Sequence, residues 1–171
     1  LIYLLKNVEM AQLKYLIIHC SDTPPNFDVT GDHIREWHLI GRKWSKVGYS
    51  DLIKLDGTIE NLNEYNDDNW IDANEITNGA KGFNGVSRHV CIAGGKDDNF
   101  KSVFGSFELV LTDAQFVALQ EYIKAFLGKH PKCKVLGHYQ VNKHKCCPGF
   151  NIPEYLRYIN IPEKYIYNGL V

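Results

Sequence analysis

No stretch of this chain is long and apolar enough to span a bilayer, which takes about 20 consecutive apolar residues. No stripe of basic residues marks a nucleic-acid surface either. Its 171 residues carry 19 Lys and Arg against 20 Asp and Glu, a formal net charge of -1. These absences set aside nucleic acid and membrane insertion, and they leave the oligomeric state open. Methionine occurs once, at Met10, so a natural start there is conceivable, with residues 1–9 upstream of it. The opening "LIYLLKNVEM" lacks both a basic segment and a small-residue cleavage site. It does not read as a secretory signal, and synthesis in the cytoplasm is expected. Cysteine is limited to Cys20, Cys91, Cys133, Cys146 and Cys147. An odd number, in a chain long enough to build its own core, favours reduced thiols over a disulfide framework. Internal repeats and linkers are missing, so a single domain is expected. No closely spaced carboxylate pair stands out as a glycosidase signature.

What is there is an alternation of strand-like and helix-like segments. "KYLIIHC" (Lys14–Cys20) is a short run of β-formers ended by "SDTPP", and "SRHVCIAGG" (Ser87–Gly95) is another, stopped by glycines. "SDLIKLDGTIENL" (Ser50–Leu62) places two strand-like runs around Asp56-Gly57, a hairpin signal. "CKVLGH" (Cys133–His138) is a last short strand. Ile34, Trp37 and Ile40 have helical spacing within Thr30–Gly41. Thr112–Gly128 is the clearest helix: Thr112 and Gln115 fit a capping box, and Phe116, Leu119, Ile123 and Phe126 form one apolar face. Ile152–Ile159 reads as a short helix. The pattern predicts an α/β fold, a single domain with a central mixed β-sheet flanked by helices. Asn63–Asn78 is polar, acidic and free of Lys and Arg; it fits either a solvated loop or a loop facing substrate.

The chemistry gathers in "GHYQVNKHKCCPGF" (Gly137–Phe150), which holds two histidines, two adjacent cysteines and two lysines. A disulfide, a zinc site and a nucleophilic cysteine are all conceivable. Catalytic zinc uses three protein ligands and keeps a fourth position open. His19 stands at the end of the first strand and His138 at the end of the last, with Cys147 nine residues further on. Distant segments ending at one place suit such a site. His144 beside Cys147 keeps alternatives open, either as the base for a thiolate or as a metal partner. His33, His38 and His130 fit packing or structural hydrogen bonds. His89 fits either the site wall or the interior.

The ordered pieces "IIHCSDTP", "VGYSDLIKLDGTI", "AKGFN", "CIAGG" and "LGHYQVNKHKCCPGF" resemble the zinc-dependent N-acetylmuramoyl-L-alanine amidases of the amidase type 2 family. The likeness is to the phage lysozyme-type amidases, whose fold animal peptidoglycan recognition proteins share, and it covers roughly residues 14–156. It implies Zn²⁺ held by His19, His138 and Cys147, with Tyr49 and Lys145 as the catalytic residues that donate to the oxyanion or move protons. Two neutral imidazoles and one thiolate would cancel only one of the two zinc charges. The implied reaction is hydrolysis of the bond between N-acetylmuramic acid and L-alanine, with peptidoglycan or muropeptides as partner. The chain departs from the family pattern at several places. Ser50 stands where members commonly have histidine, "ENLN" replaces a glycine-arginine, His89 replaces a residue that is often small, and Asn63–Asn78 looks long. The expected organisation is an N-terminal extension at 1–13, the catalytic domain at 14–160 and a tail at 161–171. The expected setting is a phage or prophage endolysin acting on the wall after release. The alternatives are a cytosolic muropeptide-recycling amidase and a peptidoglycan-binding module without catalysis. The acidic segment is expected to border the substrate groove and to favour a stem peptide with a free amine.

Overall fold

Parallel strands need long crossovers, and the order of segments in this chain supplies them. The computed structural model describes residues 10–169; residues 1–9 of the expected N-terminal extension lie outside the described residues. In chain order the elements are β1 (Ala11–Gln12), β2 (Tyr15–Cys20), α1 (Gly31–Arg35), β3 (Asp51–Ile53), β4 (Ile59–Asn61), β5 (Trp70–Ile71) and β6 (Ser87–Ile92). They continue with α2 (Phe107–Val110), α3 (Asp113–Lys129), β7 (Lys134–Gly137) and α4 (Ile152–Tyr158). The main sheet has five strands in the order β4-β3-β6-β2-β7. β2 is parallel to both β6 and β7, β3 is parallel to β6, and the β3–β4 hairpin is antiparallel. β1 and β5 form a separate two-stranded antiparallel piece.

The hairpin forms where Asp56-Gly57 predicts it. Gly57 takes φ 82°, a left-handed value that costs glycine little, and Asp56 Oδ1 accepts the Thr58 N–H at 2.9 Å. The capping box of α3 is present as expected, with Thr112 and Gln115 each accepting the other's backbone N–H. Leu119 and Ile123 are fully buried against the sheet. Burying each contributes about 1.5–3 kcal/mol, against about 1 kcal/mol for the cap, so packing holds this helix more than capping does.

Side chains alternate across a strand, and this alternation divides the molecule. Leu16 and Ile18 of β2, with Val90 and Ile92 of β6, face the larger core under α3 and α4. Ile17 and Leu136 face the other side, in a smaller cluster with Ala80 and Val141. His19, two residues beyond Ile17, therefore shares that second face. So does His89, which lies opposite Ile17 in the β2–β6 register.

One local expectation is revised. The helix at Thr30–Gly41 is α-helical only to Arg35 and continues as a π-helical segment over Glu36–Gly41. Its wider turn carries Ile40 out to 72% exposure and buries His38. A constant helical period had placed Ile40 with Ile34. The expected tail at 161–171 packs closely over its described part: Ile161 and Ile166 are buried, and Ile166 bridges Val135 beside β7.

Candidate metal centre and active-site cleft

Every potential ligand stands at, just beyond, or hydrogen-bonded to the carboxyl end of a strand of the main sheet. His19 is the fifth residue of β2, and His138 follows the last residue of β7. Gly137 lies opposite Ile18, so the next residue on each strand, His138 and His19, come side by side. Their ring centroids are 4.6 Å apart. Cys147 arrives from the loop after β7, and its Sγ accepts the Cys20 N–H at 2.9 Å. One ligand atom from each of His19, His138 and Cys147 lies within 4.8 Å of the other two. His144 is exposed on the same loop and is not part of that group.

Burial tunes these groups. It holds His19 well below the usual imidazole range, with smaller contributions from His89 and His138. Burial first, and then the Lys145 charge, lowers His138 to about 4. Both rings are therefore neutral at pH 7, as a metal ligand must be. Burial pushes the Cys147 thiol well up, and the hydrogen bond with Cys20 adds to the rise. A buried thiol of that kind gives up its proton when a cation compensates the charge. Two neutral imidazoles and one thiol on a rigid sheet edge, facing an open cleft, fit a catalytic zinc ion.

The cleft has a volume of about 440 Å³ and is lined by Tyr49, His138, Lys145 and Cys147 among others. The Tyr49 ring lies 5.1 Å from that of His19 and 5.2 Å from that of His38. Burial first, then the neighbouring thiols, raises its phenol well above the ordinary value, so it stays an O–H donor at neutral pH. The π-helical segment turns His38 inward, where its Nδ1 accepts the Gly48 N–H at 3.0 Å and steadies the approach to Tyr49. Lys145 lines the cleft, whereas Lys143, two residues away, does not.

Three residues meet the site in ways that local sequence gave little sign of. Arg42 and Lys81 also line the cleft, and Asp22 is the sole acid among the described residues that do. The cleft is thus basic, and the acidic segment is not its border. Only Asn78, at the very end of that segment, reaches the lining. Its carboxylates are used elsewhere: Asp67 pairs with Lys129 at 2.7 Å, and buried Glu75 accepts the Asn66 N–H at 2.7 Å. The third is His89. It is fully buried in β6, and its Nδ1 is 2.9 Å from His19 Nε2.

The arrangement defines a class: a mixed sheet with a half-open His-His-Cys centre at the carboxyl ends of its strands, in the wall of a basic cleft. The N-acetylmuramoyl-L-alanine amidase family (Amidase_2) matches residues 9–150, and the chain belongs to that family. It is 34% identical over 137 residues to the endolysin of Escherichia phage T7, covering 80% of this chain and 81% of the relative. Among solved structures it resembles the N-acetylmuramoyl-L-alanine amidase LysC from Clostridium intestinale, with a TM-score of 0.65 at 20% identity, covering 90% of this chain and 91% of that one. It also resembles a Drosophila PGRP-LB variant in complex with tracheal cytotoxin, with a TM-score of 0.62 at 22% identity, covering 91% and 89%.

Proposed function

We propose that this protein is an endolysin that hydrolyses the amide bond between N-acetylmuramic acid and L-alanine in peptidoglycan, with Zn²⁺ held by His19, His138 and Cys147. One observation carries the reading. In a chain of the amidase family, two neutral imidazoles and a thiol bring ligand atoms within 4.8 Å of one another beside an open cleft. A non-catalytic binding module would be expected to lack the third ligand, and Cys147 is present. The phage T7 endolysin supports the setting: synthesis in the cytoplasm and action on the wall after release. The PGRP-LB complex supports a muropeptide as the molecule that occupies the cleft. The proposed organisation keeps 14–160 as the catalytic domain, between the short flanks 1–13 and 161–171.

Zinc in such a site polarises an amide carbonyl and brings the pKa of a water toward about 7. The chain does the rest. When water adds to the carbonyl carbon, negative charge grows on the carbonyl oxygen. Tyr49 donates its O–H toward that charge, and the Lys145 ammonium faces it across the cleft. Both interactions strengthen as the charge develops, which is the condition for lowering the barrier rather than merely binding substrate. The C–N bond then breaks, leaving a carboxyl group on the lactyl side, and the L-alanine nitrogen leaves as an amine with the proton that the attacking water gives up. Arg42 and Lys81, which line the same cleft, supply positive charge toward an anionic stem peptide.

The test is mass spectrometry of muropeptides from walls digested by zinc-loaded protein. The expected products are stem peptides with a free L-alanine amine, with the glycan strands uncut. New reducing sugar ends without new amino termini would overturn the assignment.

A further inference from the structure

His89 occupies a costly position. Its ring is fully buried in the centre of the sheet, and among the described residues its Nε2 has no hydrogen-bond partner. A buried unpartnered nitrogen destabilises a fold, and an apolar residue would be cheaper there. The single polar contact of the ring with the described residues is the one between Nδ1 and His19 Nε2, at 2.9 Å. The surroundings hold the ring in this pose. Gly79 lies against it so closely that a Cβ there would stand 2.4 Å from His89 Nδ1 and 2.5 Å from its Cγ. The loop at 79 thus gives up a side chain to make room for this imidazole.

One proton lies between the two rings, and its place decides which nitrogen of His19 is free. If His89 donated its Nδ1–H, a neutral His19 would carry its own proton on Nδ1 and accept at Nε2. Neither nitrogen of His19 could then hold a metal. If His19 donates its Nε2–H, His89 Nδ1 accepts, and His19 Nδ1 is left with a free lone pair. We propose that His89 is a positioning residue: it takes the His19 Nε2 proton as a hydrogen bond, and so fixes His19 in the tautomer and orientation that leave Nδ1 to hold the metal. This rests on the reading of His19 as a ligand. In general a ligating histidine is oriented through its other nitrogen, most often by a carboxylate or a backbone carbonyl. Here a second, buried histidine takes that part, and the orphaned His89 Nε2–H is the cost of the arrangement.

The test combines imidazole nitrogen NMR on the zinc-loaded protein with Zn²⁺ affinity measured against a competing chelator. In the unsubstituted protein, His19 should carry its proton on Nε2 and His89 on its own Nε2. Partners of this kind commonly matter by about 10–100-fold in metal affinity. His89→Ala should therefore weaken Zn²⁺ binding by about that factor while still taking up one equivalent at saturation. His89→Gln, which restores an acceptor, should recover part of the loss. A proton on His19 Nδ1 in the unsubstituted protein overturns the proposal without any variant having to fold. Unchanged affinity in His89→Ala, with affinity lost in His19→Ala, overturns the positioning role alone. Unchanged affinity in His19→Ala overturns the ligand assignment, and this proposal with it.

Discussion

The two ends of the central sheet both bury polar side chains, and they use them in opposite ways. At the amino end of β3, Asp51 is buried and accepts hydrogen bonds from Tyr65 at 2.7 Å, Tyr122 at 2.6 Å and Asn61 at 2.9 Å. Arg88 lies 3.7 Å over the Tyr65 ring and donates to the Asn66 carbonyl at 3.2 Å. That circuit ties α3, β3, β4, β6 and the acidic segment together around one carboxylate. At the carboxyl end, His19, His138 and Cys147 point lone pairs and a thiol at a common point beside a cleft of about 440 Å³. A buried polar cluster whose members satisfy one another fixes structure. One whose members converge on a shared space is equipped to hold something else.

Substitutions at the two ends should therefore separate activity from stability. The largest effects are expected at the cleft. Lys145→Ala and Tyr49→Phe should each lower kcat by about 10²–10³, or about 3–4 kcal/mol, while keeping zinc and the melting temperature. Lys143→Ala, outside the cleft lining, is the control and should turn over normally. Normal turnover in both cleft variants would leave the metal and its water as the whole apparatus.

At the other end the effect should be smaller and of the opposite kind. Asp51→Ala orphans the half-buried hydroxyl donors of Tyr65 and Tyr122, at up to about 1–3 kcal/mol for each one left without a partner. Urea unfolding should show that loss, with kcat of the folded fraction and zinc content retained. A kcat that falls in step with a ligand variant would erase the distinction between the two ends.

A smaller, graded effect is expected with pH, from the imidazole-rich end. Burial, and then Arg42, lowers His38 to about 4, and burial, then His138, lowers His89 to about 3. The unfolded chain takes up these protons near the ordinary histidine value of 6.5, whereas the folded chain resists until far lower pH. Stability from these rings is thus complete above about 6.5 and is lost as the pH falls toward about 4 for His38 and about 3 for His89. Urea midpoints of metal-free protein should fall between pH 7 and pH 5, and His38→Gln should make the fall shallower. An unchanged slope in that variant would remove His38 from the explanation.

Much of the fold was legible because its signals are local. Asp56-Gly57 marks the hairpin, Thr112 and Gln115 cap α3, and the short β-forming runs become β2, β6 and β7. Strand ends also marked His19 and His138, because a catalytic centre on an α/β sheet tends to gather at the carboxyl ends of its strands. What was hidden depends on register and on contacts between distant segments. The π-helical segment shifts the phase of Ile40, which no constant helical period anticipates. The acidic segment folds toward the amino end because Asn69 accepts the Leu13 N–H at 2.8 Å and Tyr65 reaches Asp51, pairings that composition does not encode. His89 was ambiguous in the sequence because its meaning comes from lying on the same face as His19 on the neighbouring strand, and from Gly79 making room for it.

The central claim is that three segments meet at the carboxyl end of the sheet in order to hold one zinc ion. Elemental analysis of purified protein and of Cys147→Ala tests it most directly. One zinc per chain in the unsubstituted protein, and loss of most of it in Cys147→Ala with the fold retained, is the expected result. Full zinc retention in Cys147→Ala would contradict the account.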